Sequence, residues 1–130
     1  YKGRKFRLFG VQACLRNTIY RAPDGAEADC GLQSIGSLAA LFSTGSIGCQ
    51  PVGTAKDEAT FVVCAAQVGS ATIDVGTALI SSGAAFAATF PSGAPVSAAY
   101  AVAETTAREN GSGLWAGRFT HPVSALLGEH

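Results

Sequence analysis

The chain reads as one α+β domain, a small barrel or curled sheet with helices packed on it. Three observations predict this. A length of 130 residues leaves room for one domain. A hydrophobic fraction of 48% is enough to fill a sizeable core. The elements run strand, helix, two strands, short helix, short strand, helix, which is not the strand–helix alternation that builds a parallel sheet.

Residues 1–11 read as a strand: a basic, turn-like Tyr1-Lys2-Gly3-Arg4-Lys5, then Phe6, Leu8 and Val11 set around Arg7 and Phe9. Asn17, Pro23-Asp24-Gly25 and Asp29 mark 14–29 as a loop. A helix is expected over 32–43, because Leu32, Ile35, Leu38, Ala39 and Phe42 share a face and Gly45 stops it. Two apolar strands, 46–52 and 60–68, flank a polar turn at 55–58 that carries Asp57-Glu58, read as a solvated tip. Asp74 is placed to cap a short helix through Thr77, Ala78, Leu79 and Ile80, closed by Gly83. A short apolar piece, 84–90, leads through a Pro/Ser/Gly loop at 91–95 to the last helix, 96–110. Glu104 and Arg108 sit four apart there and read as an exposed ion pair. Gly111-Ser112-Gly113 ends the helix, and Leu114-Trp115 offers an apolar anchor.

Charge excludes several functions. Only 14% of the residues are charged, below the usual quarter, and nine basic residues balance nine acidic ones. No net field therefore draws in nucleic acid or an anionic membrane. The longest uncharged stretch, 75–103, is broken by Gly83, Pro91, Gly93 and Pro95, so no transmembrane helix is expected. The chain contains no methionine. It is expected to begin inside a longer precursor, with any signal or anchor segment upstream.

Cys14, Cys30, Cys49 and Cys64 allow three pairings, and no spacing among them matches a zinc site. Adjacent antiparallel strands would bring Cys49 to Cys64, leaving Cys14 for Cys30. Each link would close a loop of about 15 residues, worth roughly 3 kcal/mol in the chain-entropy model. Such a framework requires an oxidising compartment; the alternative is four free thiols in a reducing one.

Tyr1-Lys2-Gly3 and Lys5-Phe6-Arg7-Leu8-Phe9-Gly10-Val11, then Asp29-Cys30-Gly31, Asp74-Val75-Gly76 and Gly83-Ala84-Ala85, occur in a particular order. Tyr100, Glu104, Ala107-Arg108 and Gly113-Leu114-Trp115-Ala116-Gly117-Arg118-Phe119 complete it. Together these segments resemble the staphylococcal nuclease-like (thermonuclease) family, in its cysteine-bearing bacterial branch. The resemblance implies a five-stranded barrel of the oligonucleotide/oligosaccharide-binding type with three helices, whose first strand would lie upstream of Tyr1. It covers 1–119 and leaves 120–130 as a C-terminal tail.

That family performs calcium-assisted phosphodiester hydrolysis, which needs carboxylates for a hard cation, a glutamate to activate water and two arginines for the charge on phosphorus. By the resemblance, the metal-holding aspartate falls on Gln12, the catalytic glutamate on Leu15 and the second arginine near Ala59. Only Arg7 keeps a family catalytic position. No Asp or Glu occurs before Pro23, and no arginine occurs between Arg21 and Arg108. A nuclease fold without nuclease chemistry is therefore expected, with no metal and no cofactor.

The cluster Lys2, Arg4, Lys5, Arg7, Arg16 and Arg21 is a candidate binding face, against which stands a solvated basic hairpin. His121 lies in an apparent loop, Thr120-His121-Pro122; a catalytic triad there would need a nearby Ser or Cys and an orienting carboxylate, and none is expected. Phe86, Phe90, Tyr100, Trp115 and Phe119 read as core rather than stacking platforms. Asn110-Gly111-Ser112 matches a glycosylation sequon but reads equally as a helix end. The Ala/Ser/Gly-rich 84–103 is a candidate surface for close packing against another protein.

The expected function is a catalytically inactive nuclease-like module, a structural or binding subunit of a larger periplasmic or secreted assembly. Its partners would be proteins, with membrane contact only through a partner or an upstream segment. The alternatives are an active calcium-dependent hydrolase and a non-catalytic nucleic-acid or saccharide binder.

Overall fold

The computed structural model describes residues 6–42, 46–54, 58–119 and 121–122. It is an α+β structure with eight strands and three helices among those residues. The strands are β1 (Phe6–Leu8), β2 (Val11–Gln12), β3 (Ile19–Arg21), β4 (Glu27–Asp29), β5 (Ser46–Thr54), β6 (Thr60–Val68), β7 (Ala71–Asp74) and β8 (Phe86–Ala87). The helices are α1 (Cys30–Phe42), α2 (Val75–Ser81) and α3 (Ala98–Asn110), and a 3₁₀ turn follows at Gly113–Ala116.

β6 is the organising strand. β5 pairs antiparallel along one edge; on the other edge β1 runs parallel to its first part and β7 antiparallel to its last. β2–β8 and β3–β4 form separate antiparallel pairs. The described strands thus make open sheets rather than the closed barrel expected. With a period of two, β6 turns Val62, Cys64 and Ala66 to one face, where Val75, Leu79 and Ile80 of α2 and Ala84 and Ala85 complete the main core. A second cluster holds Cys14, Cys30, Phe86 and Leu114, with Tyr20, Trp115 and Phe119 packed against it.

Both disulfides follow the pairing that adjacent strands favour. Cys49 and Cys64 are directly opposite in the β5–β6 ladder, with Cα atoms 4.1 Å apart. That close spacing marks a non-hydrogen-bonded pair, so the backbone groups of Cys49, and of Pro51 two residues on, face away from β6. Pro51 therefore deprives the ladder of no donor. Cys14–Cys30 ties the segment after β2 to the first residue of α1.

Several expected elements are redrawn. The strand over 1–11 is two short strands broken at Phe9-Gly10, where Gly10 takes φ +77°; its first five residues lie outside the described residues. The loop over 14–29 contains the β3–β4 hairpin. The turn at 55–58 is described only at Glu58, which is exposed and has a positive φ of 69°.

α1 starts two residues early and faces another way: Leu32, Ile35 and Ala39 are exposed, whereas Cys30, Gly31 and Ser34 are buried. The disulfide anchors the first turn. Gly31 lies so close to the Arg16 backbone that a Cβ would sit 2.7 Å from its nitrogen, and Ser34 Oγ accepts the Cys14 N–H at 3.0 Å. These tethers override the apolar stripe. The side chains of Leu38 and Phe42 lie outside the described residues.

The Asp74 cap of α2 and the Gly111 stop of α3 are as the sequence predicts, whereas α3 starts at Ala98, two residues later than expected, with Ser97 as its N-cap. Asp74 Oδ2 accepts the Thr77 N–H and Oγ1–H, both at 2.9 Å, and Gly111 ends α3 in the left-handed region at φ 62°. Tyr100 Oη donates to the same Asp74 oxygen at 2.7 Å, joining α3 to the α2 cap. Burial, then this carboxylate, holds the Tyr100 phenol above the ordinary tyrosine range. Tyr100→Phe is expected to lower unfolding free energy by about 1.5 kcal/mol, since the lost bond is to a charged acceptor. Urea denaturation checks this, and an unchanged midpoint would show that the bond contributes nothing.

Candidate functional site

Arg7, the residue that the resemblance matches to a catalytic arginine, lies exposed on β1 directly opposite Phe61 of β6. Ala59 is 1% exposed and immediately precedes the β6 residue that pairs with Phe6. Leu15 is half-buried, and its carbonyl accepts the Thr18 hydroxyl at 2.7 Å. Gln12, on β2, turns its amide to the Ala13 carbonyl at 2.9 Å.

The candidate basic face divides. Lys2, Arg4 and Lys5 lie outside the described residues. Arg21 pairs with Glu27 across the β3–β4 hairpin, and Arg16 Nε stands 3.9 Å from Asp29. These two arginines serve the hairpin and its junction with α1.

The half-buried carboxylates are committed to the fold. Asp29 accepts the Asn17 N–H at 2.7 Å on one oxygen and the Leu32 N–H at 3.0 Å on the other, so it secures the loop and caps α1. Those backbone donors, more than Arg16, hold its carboxyl below the ordinary aspartate value of 3.8. A lowered folded-state pKa gives stability that is complete above the unfolded value and lost as pH falls through the folded one. Asp29→Ala is therefore expected to reduce stability at neutral pH and to flatten its decline below pH about 4. Stability-versus-pH curves of the two proteins check this, and parallel acid limbs would refute it.

Glu104 corrects an expectation. It does not form an exposed pair with Arg108: its Oε1 accepts the Ala87 N–H at 2.8 Å, and its Oε2 lies 3.3 Å from His121 Nε2. His121 thus has the carboxylate partner that sequence reading missed. Its ring packs against Phe86 and Trp115, with centroids 4.7 and 5.7 Å away. The signal was present: Tyr100, Glu104 and Ala107 are spaced four and three apart, which places them on one helix face, and Ala107 is fully buried. Arg108 instead stands over Trp115, its Cζ 6.0 Å from the ring centroid.

Of the aromatic residues expected in the core, Phe86 is fully buried, while Trp115, Phe119 and Tyr100 are partly so. Phe90 is 52% exposed. Packed structure continues past Phe119, because Pro122 is fully buried. The Ala-rich 84–103 is mixed: Ala84, Ala85 and Ala87 lie in the protein's own interior, while Phe90 and Val102 face outward. Asn110 is exposed at the last position of α3.

Among the described residues, no group of three or more His, Cys, Asp or Glu side chains is placed to hold a metal ion, and no helix is long and apolar enough to cross a membrane. These features define a disulfide-stapled α+β domain whose partly buried carboxylates serve structure. Compared with protein-family models and with curated proteins, the chain finds no match in either.

Proposed function

We propose that the chain is a catalytically inactive relative of the staphylococcal nuclease-like family and acts as a structural or binding subunit of a larger extracytoplasmic assembly. The observation that carries this reading is the use made of its acidic groups. Asp29, Asp74 and Glu104 cap helices or tie α3 to β8 and His121, and the positions the family gives to its metal and water carry Gln12 and Leu15. A hard cation needs several oxygen ligands, and a water nucleophile needs a base; Arg7 supplies neither.

The succession of β1, α1, the β5–β6 hairpin, α2 and α3 supports the family resemblance. On this reading the open sheets around β6 are the larger part of an oligonucleotide/oligosaccharide-binding barrel. Two disulfides fit the periplasm or the extracellular medium. Exposed apolar residues support a protein partner: Leu32 and Ile35 on the uncharged α1, and Phe90 and Val102 flanking the start of α3.

The first test is hydrolysis of single- and double-stranded DNA and of RNA with calcium present. The expected result is no cleavage above buffer. Calcium-dependent turnover that Arg7→Ala abolishes would overturn the proposal. Gentle native purification is expected to yield a stoichiometric complex that survives nuclease and high salt, whereas a lone monomer would remove the subunit half of it.

A further inference from the structure

The two disulfides occupy different environments. Cys14 and Cys30 are 4% and 0% exposed and lie in the cluster with Phe86, Leu114 and Trp115. Cys64 is 2% exposed in the main core, but its partner Cys49 is exposed on β5, at the rim of the sheet. Neither β5 nor β6 contains a charged residue, so no carboxylate on these strands repels an incoming thiolate. Opening this bridge also leaves the strands joined by their backbone ladder, which runs from Ser46↔Gln67 to Thr54↔Thr60.

We propose that Cys49–Cys64 is a thiol-exchange site for low-molecular-weight thiols, and that Cys14–Cys30 is a permanent staple. An external thiolate attacks Cys49 Sγ, forming a mixed disulfide there. The Cys49–Cys64 bond breaks, and Cys64 leaves as a thiolate that takes a proton from water. A second external thiolate can then attack the external sulfur of the mixed disulfide, releasing Cys49 as a thiolate that takes a proton from water; the two external thiols leave as their own disulfide, having given two electrons to the protein. Exposed disulfides are the labile ones in proteins, and access decides which sulfur is attacked. The exchange reversibly marks the β5 edge without dismantling the second cluster.

The folded protein titrated with reduced glutathione, acid-quenched, alkylated and mapped by mass spectrometry tests this. Alkylated Cys64 and glutathione on Cys49 are expected at a glutathione concentration roughly tenfold lower than that which opens Cys14–Cys30. Trp115 is the only tryptophan and packs against the other bridge's cluster. Its emission is expected to hold through the first opening and shift at the second. Simultaneous opening, prior opening of Cys14–Cys30, or glutathione on Cys64 would overturn the proposal. The Cys49→Ser/Cys64→Ser double variant separates exchange from unfolding. It is expected to keep Cys14–Cys30 and native Trp115 emission, and loss of either would make the bridge a staple.

Discussion

Gly83→Ala is expected to destabilise the domain by about 3 kcal/mol or more, from overpacking against backbone and a left-handed residue that no longer tolerates its conformation. Gly83 follows α2 with φ +79°, and a Cβ there would lie 1.9 Å from the Ser112 carbonyl oxygen and 2.5 Å from its carbon. Gly113 meets it from the other side, where a Cβ would come within 2.4 Å of the Ser82 carbonyl oxygen. The Leu114 N–H donates to the Gly83 carbonyl at 3.0 Å across this contact. Neither backbone has a flexible side-chain end to move aside, so the end of α2 and the start of the 3₁₀ turn must separate. Urea denaturation measures the loss; a change within about 0.5 kcal/mol, the range of an ordinary surface substitution, would refute the close approach.

Phe86→Ala is the second large effect, at about 3–5 kcal/mol for a fully buried aromatic ring. Phe86 is 0% exposed and packs edge-on to Trp115 at 5.5 Å and tilted to Phe119 at 5.3 Å. Its removal takes partners from Trp115, Phe119 and His121 together, so Trp115 emission should move to the red as stability falls. Phe90→Ala, four residues on and half exposed, is expected to change stability by no more than about 0.5 kcal/mol. Equal effects at the two positions would show that the second cluster is not organised around Phe86.

The comparison of Phe86 with Phe90 also shows where the sequence was legible. Local signals were sound: the Asp74 cap, the Gly111 stop, and the pair of apolar strands that sets Cys64 opposite Cys49. What failed were readings that needed knowledge of a distant partner. Gly83 and Gly113 were each legible as helix punctuation, but their contact is a tertiary fact. The apolar stripe of α1 implied burial of Leu32 and Ile35, yet the Cys14–Cys30 link and the Gly31–Arg16 approach turned the helix by its first turn. Glu104 was assigned to an exposed pair on charge spacing, although its own face, with Tyr100 and Ala107, pointed inward. The β3–β4 hairpin was hidden because its strands are only three residues each, too short for a periodic pattern. At the candidate site, Gln12, Leu15 and Ala59, which the resemblance aligns with catalytic positions, were readable one by one. The commitment of Asp29 and Glu104 to structure became visible only in the fold.

The parallel pairing of β1 with β6 bears on how the chain acquires its structure. Phe6 pairs with Thr60 and Leu8 with Val62, so everything from β2 to β5 lies between two strands that must align. The β5–β6 hairpin closes across a short turn, whereas β1 closes a far longer loop at a higher entropic cost. As the chain emerges from synthesis, the apolar Phe6, Leu8 and Phe9 precede the strand that will receive them. They remain unpaired until β6 has formed, and during that interval β1 is open to pairing with another molecule.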